Sequence, residues 1–162
     1  MKRSGEISYK FFKVNEYIYR GERPSWEGIL QLAKLGIRSI MNLERGLFYE
    51  EPDYVRQERL ITEELGLRFL HLPLHPIKSP TIAEVRNALG LLTRQDNHPI
   101  FVHCERGNDR TGIVIAAFRI KVEGWDFERA INEMKSFGHR SRLLFWWTNV
   151  LLLIKNHDHS KF

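Results

Sequence analysis

The sequence predicts an α/β domain, with a central, mainly parallel sheet of about four to five strands and helices on both faces. Three observations carry that reading. Short apolar segments alternate with longer ones whose apolar residues recur at helical spacing. Glycines stand just past the helical segments, at Gly36, Gly66, Gly124 and Gly138. One strand candidate, Pro99 to His103, is continuously apolar up to its histidine, as a strand covered on both faces should be.

The elements follow in order. Residues 1–16 read as a polar lead-in. Tyr17 to Arg20 is a first strand, ended by Gly21 and Pro24. Ser25 caps a helix through Leu35 with Ile29, Leu30, Leu32 and Ala33 on one face. Ile37 to Leu43 is a second strand, and a loop from Glu44 to Pro52 leads to a helix over Asp53–Leu65. Leu67 to Leu74 is a third strand, with Pro73 marking its end. Pro76 to Pro80 is a loop. Thr81 caps a helix to Thr93 that carries Ile82, Val85, Leu89 and Leu92 at helical spacing. After the fourth strand come an apolar helix over Thr111–Glu123, a helix capped by Asp126 that runs to Phe137, and a last helix over Ser141–Lys155. Trp146 and Trp147 in that last helix are expected in the core or at its edge.

At 162 residues the chain suffices for a single domain over 1–162, with its core in about 17–154. The net charge of +5 and a pI near 9.5 favour an anionic partner. Aromatic and cationic residues are not interleaved as a stacking surface, which argues against nucleic acid. No apolar run is long enough for a membrane span. One cysteine excludes an internal disulfide and a metal site built on several thiolates. The first residues are basic without a following apolar stretch, so no signal peptide is visible.

Ligands in parallel α/β folds bind beyond the carboxyl ends of the strands. The turn after Pro99–His103 sits at such an end and reads Cys104-Glu-Arg-Gly107-Asn-Asp-Arg110-Thr-Gly112. It leads into a helix N-terminus, where unpaired backbone N–H groups and the positive end of the helix dipole gather. Gly107 permits the tight curvature of a nest of N–H donors around an anion. The same field favours the thiolate of Cys104, the nucleophilic form. Arg110 offers a planar fork for two phosphate oxygens, and the Thr111 hydroxyl can donate to sulfur. Each residue type has a task in attacking a phosphate ester. The competing reading of Cys104 alone is a buried structural thiol.

His103-Cys104-x-x-Gly107-x-x-Arg110-Thr111-Gly112 resembles the signature of the cysteine-dependent protein tyrosine phosphatase superfamily. The likeness extends over roughly 17–154, closest to small dual-specificity-like bacterial phosphatases and to tyrosine phosphatase-like inositol phosphatases, the phytases, which are similar in carrying Glu after the cysteine. The resemblance implies that Cys104 forms a phosphocysteine that water hydrolyses. Arg110 and the N–H groups of Glu105, Arg106, Gly107, Asn108 and Asp109 would hold the phosphoryl oxygens. Thr111 would help sulfur leave, and His103 would shape the loop. No metal or organic cofactor is implied.

The family's usual acid, an aspartate on a loop preceding the signature, is missing, because no aspartate lies between Arg68 and Gln95. Asp109 is the favoured substitute. Lipid phosphatases of the myotubularin type have a similar Asp-Arg-Thr, and a carboxylate beside a phosphate dianion is driven toward its protonated form. The alternative for Asp109 is pairing with a basic neighbour to hold the loop. His75 or His71 is a second candidate, and Glu50, Glu51 and Asp53 a third.

Arg20, Arg23, Arg45, Lys78, Arg106, Lys135, His139, Arg140 and Arg142 are candidate cations around the site, with Lys78, His75 and Arg140 in supporting roles. Together they suggest a substrate with more than one phosphate. The expected partner is therefore polyanionic, an inositol polyphosphate first and a phosphoprotein second. A non-catalytic phospho-ligand binding module is the alternative from another class.

Overall fold

The computed structural model describes residues 10–48, 50–139 and 141–156, with the backbone alone over 141–146. Its strands are β1 (Phe11–Lys13), β2 (Ile18–Glu22), β3 (Ser39–Asn42), β4 (Arg68–His71) and β5 (Ile100–Cys104). Its helices are α1 (Trp26–Lys34), α2 (Asp53–Glu64), α3 (Ile82–Thr93), α4 (Asp109–Lys121), α5 (Phe127–Ser136) and α6 (Ser141–Asn156). The sheet order is β1-β2-β5-β3-β4, and every pairing is parallel except β1 with β2.

Side chains alternate across a strand, and here the alternation sorts two cores. Ile40 and Phe101 pack with Ile29, Leu32, Ile37 and Leu67 under α1 and α2. Ile18, Met41, Ile100, Val102 and Cys104 face the opposite way, against α3, α4, α5 and α6. The predicted sheet with helices on both faces is the observed one. Helix α4 runs through the middle of the second core and is buried continuously from Arg110 to Ile120. That explains why its apolar residues show no single face in the sequence. Trp147 is fully buried and donates its indole N–H to the Ile77 carbonyl at 3.1 Å.

The expected caps are present. Ser25 Oγ accepts from the Gly28 N–H at 3.2 Å, and an Asp126 oxygen accepts from Arg129 N–H at 2.8 Å. Thr81 and Glu84 form a reciprocal capping box. Gly36, Gly66, Gly124 and Gly138 all have positive φ at the helix ends.

Four details differ from the sequence reading. Strand β2 does not end at Gly21 but runs through it to Glu22, paired with β5. The lead-in contains β1, a three-residue edge strand. Helix α4 begins at Asp109 rather than Thr111, because Asn108 is already helical and its carbonyl accepts from the Gly112 N–H at 2.9 Å. Strands β3 and β4 are shorter than read, β4 stopping at His71, two residues before Pro73. Among the described residues no helix is long and apolar enough to cross a membrane.

Thr81→Ala removes one half of the capping box at the start of α3. It is expected to cost about 1 kcal/mol and to lower the melting temperature by roughly 2–4 °C, with unchanged alkylation of Cys104. Calorimetry with thiol titration checks both parts.

Candidate active site

The parallel register brings the ends of β2, β5 and β3 together, with Glu22 beside Cys104 and Asn42 beside His103. The chain then turns through Glu105 and Arg106 and reverses at Gly107, where φ is +70°. The turn rests directly on β2. A Cβ at Gly107 would stand 2.3 Å from the Gly21 carbonyl oxygen, so only glycine fits. Two loop carbonyls point back toward this support. Glu105 O accepts from the Arg23 N–H at 3.2 Å, and Gly107 O accepts from Arg20 Nη2 at 2.9 Å.

Above the turn lies a cavity of about 380 Å³ lined by Cys104, Glu105, Arg106, Asp109 and Arg110 of the loop. Arg45, Gly46 and Leu47 line a second wall with Tyr54, and Pro76 and Ile77 a third. Cys104 and Arg110 are 3% and 6% exposed. Among the described residues no carboxylate lies within ion-pair distance of Arg110, whereas Arg23, Arg59 and Arg119 each have one. Thr111 is buried, and its hydroxyl has no hydrogen-bond partner among the described residues. The site thus gathers a thiol, three guanidinium groups and two carboxylates, Glu105 and Asp109, around one helix N-terminus.

Behind the loop, His103 is completely buried on the α2 side of the sheet. Its Nε2 lies 2.7 Å from Glu58 Oε1, and Nδ1 lies 3.8 Å from Glu44 Oε1. Burial opposes a charged ring, but Glu58, then Glu44 and the Cys104 carbonyl, outweigh it and hold the imidazole above its ordinary value. Asn42 Nδ2 donates to Glu58 Oε2 at 2.8 Å, while Asn42 Oδ1 accepts from Glu44 N–H at 2.7 Å. Glu44 takes a two-pronged bond from Arg23 at 2.9 and 2.5 Å, and that guanidinium stacks 3.7 Å over Tyr54.

The acid candidates separate. Asp109 lines the cavity, and its Oδ1 is 3.3 Å from Nδ1 of buried His139. His75 accepts at Nδ1 from the N–H groups of Ile77 and Lys78, at 3.0 and 2.9 Å. Burial, then Arg45, Lys78 and Arg110, push its ring below the ordinary histidine value. His71 Nε2 donates to Glu44 O at 2.7 Å, and its ring faces Glu51, which pairs with Arg59. Asp53 pairs with Arg56, and Glu50 lies against Gly46. None of these five side chains lines the cavity.

The cation cluster also divides. Arg45 and Arg106 line the cavity; Arg20 and His139 are buried, and Arg23 is held by Glu44. Lys78 and Lys135 are exposed. Arg140 and the side chain of Arg142 lie outside the described residues.

The model of the tyrosine phosphatase family matches residues 7–146. The chain belongs to the tyrosine phosphatase family. Among its relatives, the dual specificity protein phosphatase TpbA of Pseudomonas aeruginosa is 29% identical over 132 residues, spanning 81% of this chain and 56% of TpbA. Inositol diphosphatase DSP3 of Arabidopsis thaliana is 31% identical over 124 residues, spanning 76% of this chain and 59% of DSP3. This chain therefore matches little more than half the length of either relative. The crystal structure of P. aeruginosa TpbA superposes with a TM-score of 0.71 at 25% identity, covering 95% of this chain and 88% of that one. The catalytic core of the PP-IP phosphatase Siw14 from S. cerevisiae shares the fold, with a TM-score of 0.72 at 22% identity and coverage of 93% and 86%.

Within this family site, Glu44, Glu58, Asn42 and Tyr54 escaped the sequence reading. One signal was available for Glu58. The buried positions of α2 are Val55, Glu58 and Thr62, a core-face spacing occupied by two polar residues. A glutamate in such a stripe implies a buried partner.

The His103–Glu58 pair gives a signed pH effect. A folded value held above the unfolded one contributes stability below the unfolded value, and that contribution fades as pH rises through the folded value. Glu58→Gln removes the main raising influence. The variant is therefore expected to lose more stability relative to wild type at about pH 6 than at about pH 9. Urea unfolding at both pH values checks this, and equal losses would deny the coupling.

Proposed function

We propose that the chain is a cysteine-dependent phosphomonoesterase whose substrate is an inositol polyphosphate. The observation that carries this reading is the composition of the cavity wall. Arg45, Arg106 and Arg110 line it, with one aromatic ring, Tyr54, whose face is already taken by Arg23. Three guanidinium groups suit several phosphates on a small ring better than the single aryl phosphate of phosphotyrosine. The inositol diphosphatase relative supports the same reading.

In the proposed mechanism the Cys104 thiolate attacks phosphorus in line. The P–O ester bond breaks as the P–S bond forms, and Asp109 gives its proton to the departing oxygen. Arg110 and the N–H groups of residues 105–110 hold the equatorial oxygens through both steps. Water then attacks the phosphocysteine, Asp109 takes its proton, and inorganic phosphate leaves. In this mechanism the Thr111 hydroxyl, buried and without a hydrogen-bond partner among the described residues, donates to the departing sulfur. His103 holds the loop from behind; His75, Lys78 and Arg140 have supporting roles.

A second reading, a protein tyrosine or dual-specificity phosphatase, rests on the likeness to TpbA. A substrate panel separates the two. Inositol hexakisphosphate is expected to exceed a phosphotyrosine peptide in kcat/KM by about tenfold or more, with a steep fall in added salt. Cys104→Ser should abolish turnover of both. Arg45→Ala should raise KM for the inositol phosphate and leave the peptide's little changed. The reverse preference would establish the protein-phosphatase reading, and no turnover of any ester would leave a binding module.

The acid is tested by leaving group. Asp109→Asn should cut kcat on an inositol phosphate by about 100-fold, within the range for a lost general acid, and on p-nitrophenyl phosphate far less. Equal losses on both would make Asp109 a loop-holding residue.

A further inference from the structure

Arg20 was a candidate to meet substrate phosphate, and its position excludes that. It is 2% exposed, on the sheet face it shares with Ile18 and Cys104, and it lies beneath the loop. Its guanidinium packs 3.9 Å from the centroid of the Phe137 ring, and Nη2 donates to Gly107 O. Nε and Nη1 are buried without hydrogen-bond partners among the described residues. Burial pushes the group down to about 10, with Glu133 and Cys104 pulling it back up and Arg119 opposing them. It is therefore charged at neutral pH. A buried, incompletely bonded cation is costly, and no carboxylate among the described residues forms an ion pair with it.

The geometry of its one hydrogen bond gives that cation a task. A trans peptide points its C=O and its N–H in opposite directions. Holding Gly107 O below the loop therefore turns the Asn108 N–H away from β2, toward the concave side. The Arg23 N–H does the same two peptides earlier, holding Glu105 O and turning out the Arg106 N–H. Gly107 lacks a side chain to resist a flip of its peptide, so this orientation needs an outside restraint.

We propose that Arg20 is a positioning residue of the phosphate loop, fixing the Gly107–Asn108 peptide with its N–H toward the bound phosphate and setting a buried positive charge behind Cys104. The inference rests on the phosphatase reading for its ligand but not for its test. Other charged and titratable groups line the cavity with Cys104. Glu105, Arg106, Asp109 and Arg110 come from the loop and α4, and Arg45 and Tyr54 from the opposite wall. His103 adjoins Cys104 in β5, so the effect of Arg20 must be read as a difference between variants.

The test is alkylation of Cys104 by iodoacetamide across pH, with and without inorganic phosphate as protectant, in wild type, Arg20→Met and Arg20→Lys. In Arg20→Met the alkylation midpoint is expected to rise by about one pH unit, and protection by phosphate to weaken about tenfold. Arg20→Lys keeps the charge and loses the fork, so its midpoint should stay near wild type while protection weakens by about threefold. A folded Arg20→Met with wild-type midpoint and protection overturns the proposal, since a purely structural role lowers the melting temperature without moving either. If Arg20→Met does not fold, wild-type protection in Arg20→Lys overturns it instead. A wild-type protein that is protected by phosphate yet turns over no ester would sink the enzyme reading and leave this inference standing.

Discussion

The structure depends on a backbone contact that tolerates no side chain. The loop reverses at Gly107 against the backbone of Gly21, and Gly21 in turn lies against the backbone of Lys10, whose carbonyl oxygen would be 2.0 Å from any added Cβ. Three chain segments therefore stack in succession, with glycine at both contacts. This seat fixes the height of the loop relative to β5, and with it the distance at which Cys104 and Arg110 can share one ligand. It also gives β1 a purpose beyond edge pairing, because the segment around Lys10 forms the bottom layer. The same closeness lets two backbone carbonyls of the loop reach donors on and just after β2 rather than turn into the cavity.

A second constraint is where the charges are placed. On the α2 side, the ring of His103 is held between two carboxylates, each with another partner in turn: Asn42 for Glu58 and Arg23 for Glu44. Buried ion pairs of this kind gain little net stability, since desolvation offsets the attraction. What they give is orientation. His103 and Cys104 are consecutive, so clamping the ring on one face of β5 sets where the sulfur emerges on the other. The cavity side is built on the opposite rule. Arg110 stands in the first turn of α4, lines the cavity and has no ion-pair partner among the described residues.

Much of this was legible in the sequence, for physical reasons. The caps at Ser25, Thr81 and Asp126 and the glycines after α1, α2, α4 and α5 are local signals, and local signals survive folding unchanged. The continuity of apolar residues in β5 and α4 reported burial on all sides. The spacing from Cys104 to Arg110 located the site. Other features were hidden because they are relations between distant segments. A three-residue strand such as β1 has too few residues to show a period. Glu44 and Glu58 look like surface acids until the register of β3 with β5 sets them around His103. The cations misled for the same reason. Charge is visible in a sequence and direction is not, so Arg20 and His139 were counted toward the substrate although both are buried.

The contact between Asp109 and His139 bears on the proton that the proposed mechanism requires. Acid and loop anchor stand as rival roles for Asp109 when only the sequence is considered. At 3.3 Å from Nδ1, the Oδ1 oxygen can be anchored while the residue still faces the cavity. The proposed mechanism asks both roles of this residue. A phosphate dianion arriving beside Cys104 would add negative charge next to Asp109, and like charge disfavours an ionised carboxylate. On that proposal the residue that anchors the loop also supplies the proton, and no aspartate is asked of the preceding loop, whose Pro76 and Ile77 line the wall.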